Sequence, residues 1–205
     1  MPNDELSATA HLLSRIDHGD KTAIDVLLAQ HREYLKRVIE FQMEPMLRLR
    51  VDPSDVVQET QLEVVQRIGD YLRRRPMSFR VWLRKTACQR LGMLRRFHLR
   101  SLRRSVRREI SLPDASSILI ANQLANCLPS RSVEDAELAA SIRVAMAQLA
   151  KPDCEILILR FYEQLTNQES AEALGIDSSA ASKRLGRALK RLKDKLTEFS
   201  ATSQT

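Results

Sequence analysis

Apolar residues return every three or four positions along most of this chain, the spacing of one helical face. From about residue 6 to 45 that spacing predicts helix, with Leu27, Leu28, Tyr34, Leu35, Val38 and Ile39 on one stripe until Pro45 interrupts. A second helix is predicted to open at Asp52, a capping residue, with Pro53 in its first turn. Val57, Val64, Val65 and Ile68 point inward on it, while Asp55 and Glu59 share another face; Gly69 and Asp70 weaken its end. Arg73-Arg74-Arg75-Pro76 reads as a basic loop closed by proline. Ser78 caps a third helix whose apolar positions are Phe79, Trp82, Leu83, Ala87 and Leu91, and which continues into an arginine-rich stretch.

Between about residues 111 and 134 the pattern changes. Few charges, two prolines and many Ser, Asn and Ala read as a linker with a short helical piece. Periodicity then resumes with Leu138, Ile142, Ala145 and Leu149, and Pro152 and Asp153 punctuate it. Ile156, Leu157, Leu159, Phe161 and Tyr162 predict a strongly apolar helix. Thr166 and Glu169 stand at the two ends of a capping box, and Gly175 supplies the left-handed residue that ends the helix they start. Ile176 packs after the turn. A last helix opens at Asp177 or Ser178, with Ala181, Leu185, Ala188, Leu189, Leu192 and Leu196 inward. The fold expected is all-α: an N-terminal helical bundle (1–108), a flexible linker (109–135), a C-terminal helix-turn-helix domain (136–197) and a tail (198–205).

Composition agrees. Aromatic residues are 4% of the 205, and with only 5 Gly and 7 Pro there is little to break helices. The net charge of +7 is unevenly spread. Residues 1–70 hold 13 acids and 8 bases; residues 71–110 hold 14 bases against Glu109 alone; residues 183–195 hold seven bases against Asp194. Two such blocks repel themselves unless an anion neutralises them, and nucleic acid is the leading candidate because each phosphate contact releases counterions. A solvated basic face is the plainer account of one block; it serves less well for two. The three cysteines, Cys88, Cys127 and Cys154, fit neither a zinc motif nor a disulfide framework and read as core fillers. The N-terminus lacks the long apolar run of a signal peptide, and no stretch is long enough to insert in a membrane. A reducing, cytoplasmic setting is expected.

The segment from Thr166 to Leu192 carries the sharpest signal. Two helices joined at a tight glycine turn, the second amphipathic and basic, form a helix-turn-helix pattern. Ala171 is small where the helices cross, and Ile176 and Leu185 fix their angle. The second helix would then offer Ser178, Ser179, Ser182, Lys183 and Arg187 to a DNA groove, with Arg184 beside them among its DNA-binding residues and Lys190 and Arg191 nearer to phosphate. An ordinary helical hairpin with a basic face would share the pattern but not the need for this turn chemistry. In the first basic block Phe79, Trp82 and Phe97 could stack on unpaired bases, although Trp82 lies in register with the core positions. The arginines at 73–75 and 95–108 have no acidic partners close in sequence. Asp52, Asp55, Glu59 and Glu63 could do acid–base work or hold a metal, but the four histidines are scattered and no nucleophile converges on them. An enzyme, a metal site and a cofactor are therefore not expected.

Taken together, these residues resemble the extracytoplasmic-function sigma factors of bacterial RNA polymerase, over about residues 20–108 and 136–197. DPSDVVQETQLEV is similar to the family's second region, with Asp52, Asp55, Val56, Val57, Gln58, Glu59 and Thr60 in place. The resemblance implies that Asp52, Asp55, Gln58 and Glu59 dock on the largest polymerase subunit. SFRVWLRKTACQRL is similar to the stretch after the loop that captures a flipped base of the minus-ten element, with Thr86 and Gln89 in place of the usual Ile and Asn. It implies minus-ten contacts from Arg74, Arg75, Ser78, Arg80, Arg84, Gln89, Arg95 and Arg96. The C-terminal segment resembles the fourth region, which reads the minus-thirty-five element; Ser170 stands where Ile is usual. The expected partners are core RNA polymerase and promoter DNA, and in the family an anti-sigma factor often covers these faces. A polymerase-independent regulator binding operator DNA is the alternative; it would need a dimerisation seam that the sequence does not display.

Overall fold

The computed structural model describes residues 2–105 and 133–202, which fall in two units, Met1–Arg108 and Glu109–Thr205. Most of the segment read as linker lies outside the described residues, as does Cys127. The first unit contains α1 (Pro2–Asp17), α2 (Thr22–Gln42), a short α3 (Pro45–Arg48), α4 (Pro53–Arg74) and α5 (Phe79–Ser105). The second contains α6 (Val133–Ala147), α7 (Lys151–Leu157), a π-helical turn (Ile158–Tyr162), α8 (Asn167–Leu174) and α9 (Ser178–Thr202). All regular structure among the described residues is helical, as the periodicity predicts. Helix α6 begins inside the segment read as linker, and α9 runs into the segment read as tail.

The continuous N-terminal periodicity resolves into two helices. Gly19, at φ 90°, breaks the chain where few other residues could. The Asp20 carboxylate fixes the break by accepting from the Thr22 hydroxyl, the Thr22 N–H and Arg15, contacts that pull its pKa from 3.8 to about 2. Helix α2 then packs against α1, α4 and α5. Its buried Leu27, Leu35, Val38 and Ile39 share a core with Val56, Val57 and Val64 of α4 and Phe79, Leu83 and Ala87 of α5. Trp82 belongs to this core: its ring stacks on Tyr71 at 4.6 Å, and Phe79 closes the cluster. His31 is buried beside Phe79, with Nε2 3.0 Å from the Thr9 hydroxyl.

Four local expectations change. Gly69 and Asp70 do not end α4, which continues to Arg74 and stops at Arg75 in the left-handed region, φ 37°. So the basic loop is shorter than its sequence suggests. Val65 faces solvent, because the helix rotates about 100° per residue and Val64 takes the inward place. In the second unit Phe161 is 62% exposed. The π-helical turn adds a residue at this point and shifts the register, so Phe161 leaves the face that Ile156, Leu157 and Leu159 bury. Leu189 of α9 is also exposed.

The second unit's core holds Ala145, Met146, Leu149, Cys154, Leu165, Ala171, Ala181 and Ala188. The Cys154 thiol donates to the Met146 carbonyl at 3.2 Å, the small-filler role expected of it. Two buried hydroxyls sit where the resembling family has Ile. Thr86 donates to the Trp82 carbonyl at 3.0 Å and Ser170 to the Thr166 carbonyl at 2.8 Å. Each is satisfied within its own helix, which removes the main cost of burying it.

Candidate nucleic-acid interface

Helix α8 is held at both ends by short-range chemistry. Thr166 Oγ1 accepts from the Glu169 N–H at 3.1 Å while Glu169 Oε2 accepts from the Thr166 N–H at 2.8 Å, a complete capping box. Gly175, at φ 65°, reverses the chain, and the Ile176 N–H returns to the Ala171 carbonyl at 3.1 Å. Asp177 opens α9 by accepting from the Ala180 N–H at 2.7 Å. Buried Ala171, Ala181 and Ala188 let α8 and the rest of the unit approach α9 closely. With that side covered, the opposite side carries the predicted reading residues. Ser178, Ser179, Ser182, Lys183, Arg187 and Lys190 are exposed, and Arg184 is half-buried.

Two features of this unit escape sequence reasoning. Asn167, in the first turn of α8, donates from Nδ2 to the Ser178 carbonyl (2.9 Å) and to the Ser178 hydroxyl oxygen (2.7 Å). No periodicity signals such a contact; the turn geometry alone creates it. Arg191, expected at phosphate, instead pairs with Asp153 of α7, whose side chain is only 7% exposed. The partner lies 38 positions away, beyond any local pattern.

In the first unit, Asp52 caps α4 by accepting from the Ser54 N–H at 2.7 Å. Asp55 and Gln58 are exposed, and Glu59 is half-buried, its carboxylate 2.8 Å from Arg90 of α5. Exposed Leu62 and Val65 extend the same face, opposite the buried Val57, Val64 and Ile68. They are apolar residues that a search for charged partners overlooks.

The expected minus-ten residues do not form one surface. Arg74, Arg75, Gln89, Arg95 and Arg96 are exposed; Ser78 and Arg84 are half-buried. Arg80 is buried, its guanidinium 4.5 Å from the centre of the Tyr34 ring. It serves the core, because its α5 position faces α2. Gln89 and Arg96 share an outward stripe with Lys85, at i, i+4 and i+11. The arginines also have acidic neighbours that the sequence conceals: Arg73 pairs with Asp70, Arg75 with Asp17 at 3.7 Å, Arg90 with Glu59 and Arg95 with Glu44 at 2.9 Å. Asp17 and Glu59 come from other helices, Glu44 lies just before α3, and Asp70 shares α4 with Arg73. Arg107 and Arg108 lie outside the described residues, as do the side chains of Arg100, Arg103 and Arg104.

Among the described residues no three His, Cys, Asp or Glu side chains lie close enough to hold a metal, and no helix is long and apolar enough to cross a membrane. Residues 139–192 match the family model described as Sigma-70, region 4. That match spans α8, the turn and the exposed row of α9. The chain is similar in fold to the solved structure of CnrH in complex with the cytosolic domain of CnrY. The TM-score is 0.54 and the identity 22%, covering 93% of this chain and 98% of that one. No curated protein matches the chain by sequence.

Proposed function

We infer that this chain is a sigma factor of the extracytoplasmic-function type, which binds core RNA polymerase, directs it to promoters and starts DNA-templated transcription. One observation carries the inference. Within the segment that matches Sigma-70, region 4, a capped helix and a glycine turn support a helix whose outward face is a row of Ser, Lys and Arg. Those side chains can donate to base edges and phosphates. A regulator of transcription, without catalysis of its own, accords with that chemistry.

The roles divide by unit. Helix α9 binds duplex at the minus-thirty-five element through Ser178, Ser179, Ser182, Lys183, Arg184, Arg187 and Lys190. The outward face of α4 docks on polymerase through Asp55 and Gln58, joined by Leu62 and Val65, with Asp52 and Glu59 shaping its edge. Gln89 and Arg96, with Arg74 and Arg75, hold the opened minus-ten strand, and Arg80 supports them from the core. Two weak DNA contacts gain strength through effective concentration once polymerase fixes their spacing, so the free protein binds DNA weakly and with strong salt dependence. CnrH was solved with the cytosolic domain of CnrY bound. That supports an anti-sigma partner for this fold as well.

The test is co-purification with core RNA polymerase, followed by mapping of transcription start sites. The wild type is retained and redirects the enzyme. Asp55→Ala and Glu59→Arg weaken retention. Glu59→Arg combined with Arg90→Glu rebuilds the ion pair inside the protein, yet leaves retention weak, which separates docking from folding. A wild-type protein that neither associates with polymerase nor changes its start sites refutes the proposal. Tight sequence-specific binding by the protein alone would point to an operator-binding regulator.

A further inference from the structure

We propose that Asn167 sets the direction of the Ser178 hydroxyl, so that Ser178 presents its hydrogen to DNA and meets it chiefly as a hydrogen-bond donor. The inference rests on α9 being the recognition helix and refines how it reads.

Asn167 Nδ2 lies 2.9 Å from the Ser178 carbonyl oxygen and 2.7 Å from the Ser178 hydroxyl oxygen. A carbonyl can only accept, so the amino end of the Asn167 amide must face Ser178 and its oxygen must turn away. The amino group has two hydrogens, and each finds one of these oxygens. The Ser178 oxygen therefore accepts from Asn167, and its own hydrogen must point elsewhere. Ser178 is exposed in the first turn of α9, so that hydrogen is presented outward. Asn167 Oδ1 is buried and lacks a hydrogen-bond partner among the described residues.

A free serine hydroxyl contacts acceptors and donors alike and discriminates poorly. Held this way, with one of its two lone pairs occupied and its hydrogen directed outward, it favours partners that offer a lone pair: guanine O6 or N7, adenine N7, thymine O4 or a phosphate oxygen. The amino groups of cytosine and adenine are disfavoured. Asn167 is thus a positioning residue for recognition, acting through Ser178.

The test uses the full chain assembled with core RNA polymerase. A random upstream duplex pool is put through selection with the wild type, Asn167→Ala, Ser178→Ala and the double variant, and affinities are measured on the winning sequences. Each single variant is expected to lose about 5- to 10-fold, with the double losing no more than either. Ser178→Thr, which keeps a hydroxyl, retains most of the affinity. If the loss is confined to one base position the acceptor is a base edge; if it is equal on all duplexes, a phosphate oxygen. Both support the proposal. Additive losses in the double variant overturn it, as does an Asn167→Ala protein indistinguishable from wild type. If the wild-type assembly selects no upstream sequence at all, the sigma-factor proposal fails and this one with it. Selection by the wild type with additive losses removes this inference alone.

Discussion

Arg191 is where the sequence and the structure assign one side chain two different tasks, and Arg191→Met separates them. Methionine keeps the apolar reach of the stem and deletes the guanidinium. The Asp153 carboxylate left behind is 7% exposed, whereas Arg191 itself is 57% exposed. An exposed ion pair contributes about 0.2–1 kcal/mol, while removing one partner of a buried pair costs about 3–5 kcal/mol. Here the buried partner remains, but it sits in the first turn of α7, where the free N–H groups of the helix stabilise an anion. The cost should fall between the two limits, about 1–3 kcal/mol. Amide hydrogen exchange, read by mass spectrometry on peptides from α7 and α9, should quicken by about 5- to 150-fold at 1.36 kcal/mol per tenfold. The salt dependence of promoter binding by the polymerase assembly should keep its slope. A phosphate contact predicts the reverse: unchanged protection and a slope smaller by about 0.9. That result would refute the clamp.

Thr166→Ala removes the acceptor for the Glu169 N–H and should cost about 1 kcal/mol in thermal or urea unfolding of the second unit; no loss would mean the capping box does not hold α8. Gly175→Ala meets no atom within 4 Å of the new methyl group, so its cost is that of the left-handed backbone alone, about 1–2 kcal/mol in the same unfolding measurement, and a larger loss would reveal a packing role. Burial, aided by the nearby Arg80 charge, lowers the His31 pKa from 6.5 to about 4. The unfolded chain therefore binds the proton first, and His31 contributes stability that is complete above about pH 6.5 and lost as the pH falls toward 4, on the order of 3 kcal/mol in all. Urea midpoints across that range should fall less steeply for His31→Gln, and identical slopes would refute the assignment.

Much of this protein is local, and its sequence determines that much unaided. Helical periodicity, the Asp52 cap, the Thr166–Glu169 box and the Gly175 turn each depend on residues within a few positions of one another, and all are found where their spacing places them. The exposed row on α9 follows from the same arithmetic, since a helix with alanines on one side must show its Ser, Lys and Arg on the other. Tertiary packing decided the rest. Whether an arginine faces solvent, an aromatic ring or a carboxylate depends on which distant helix lies beside it, so Arg80, Arg90, Arg95 and Arg191 could not be assigned from charge density. The π-helical turn that exposes Phe161 and the Asn167–Ser178 contact arise the same way. Register shifts and close approaches depend on how elements dock, and docking energy is summed over many contacts that no short window of sequence contains.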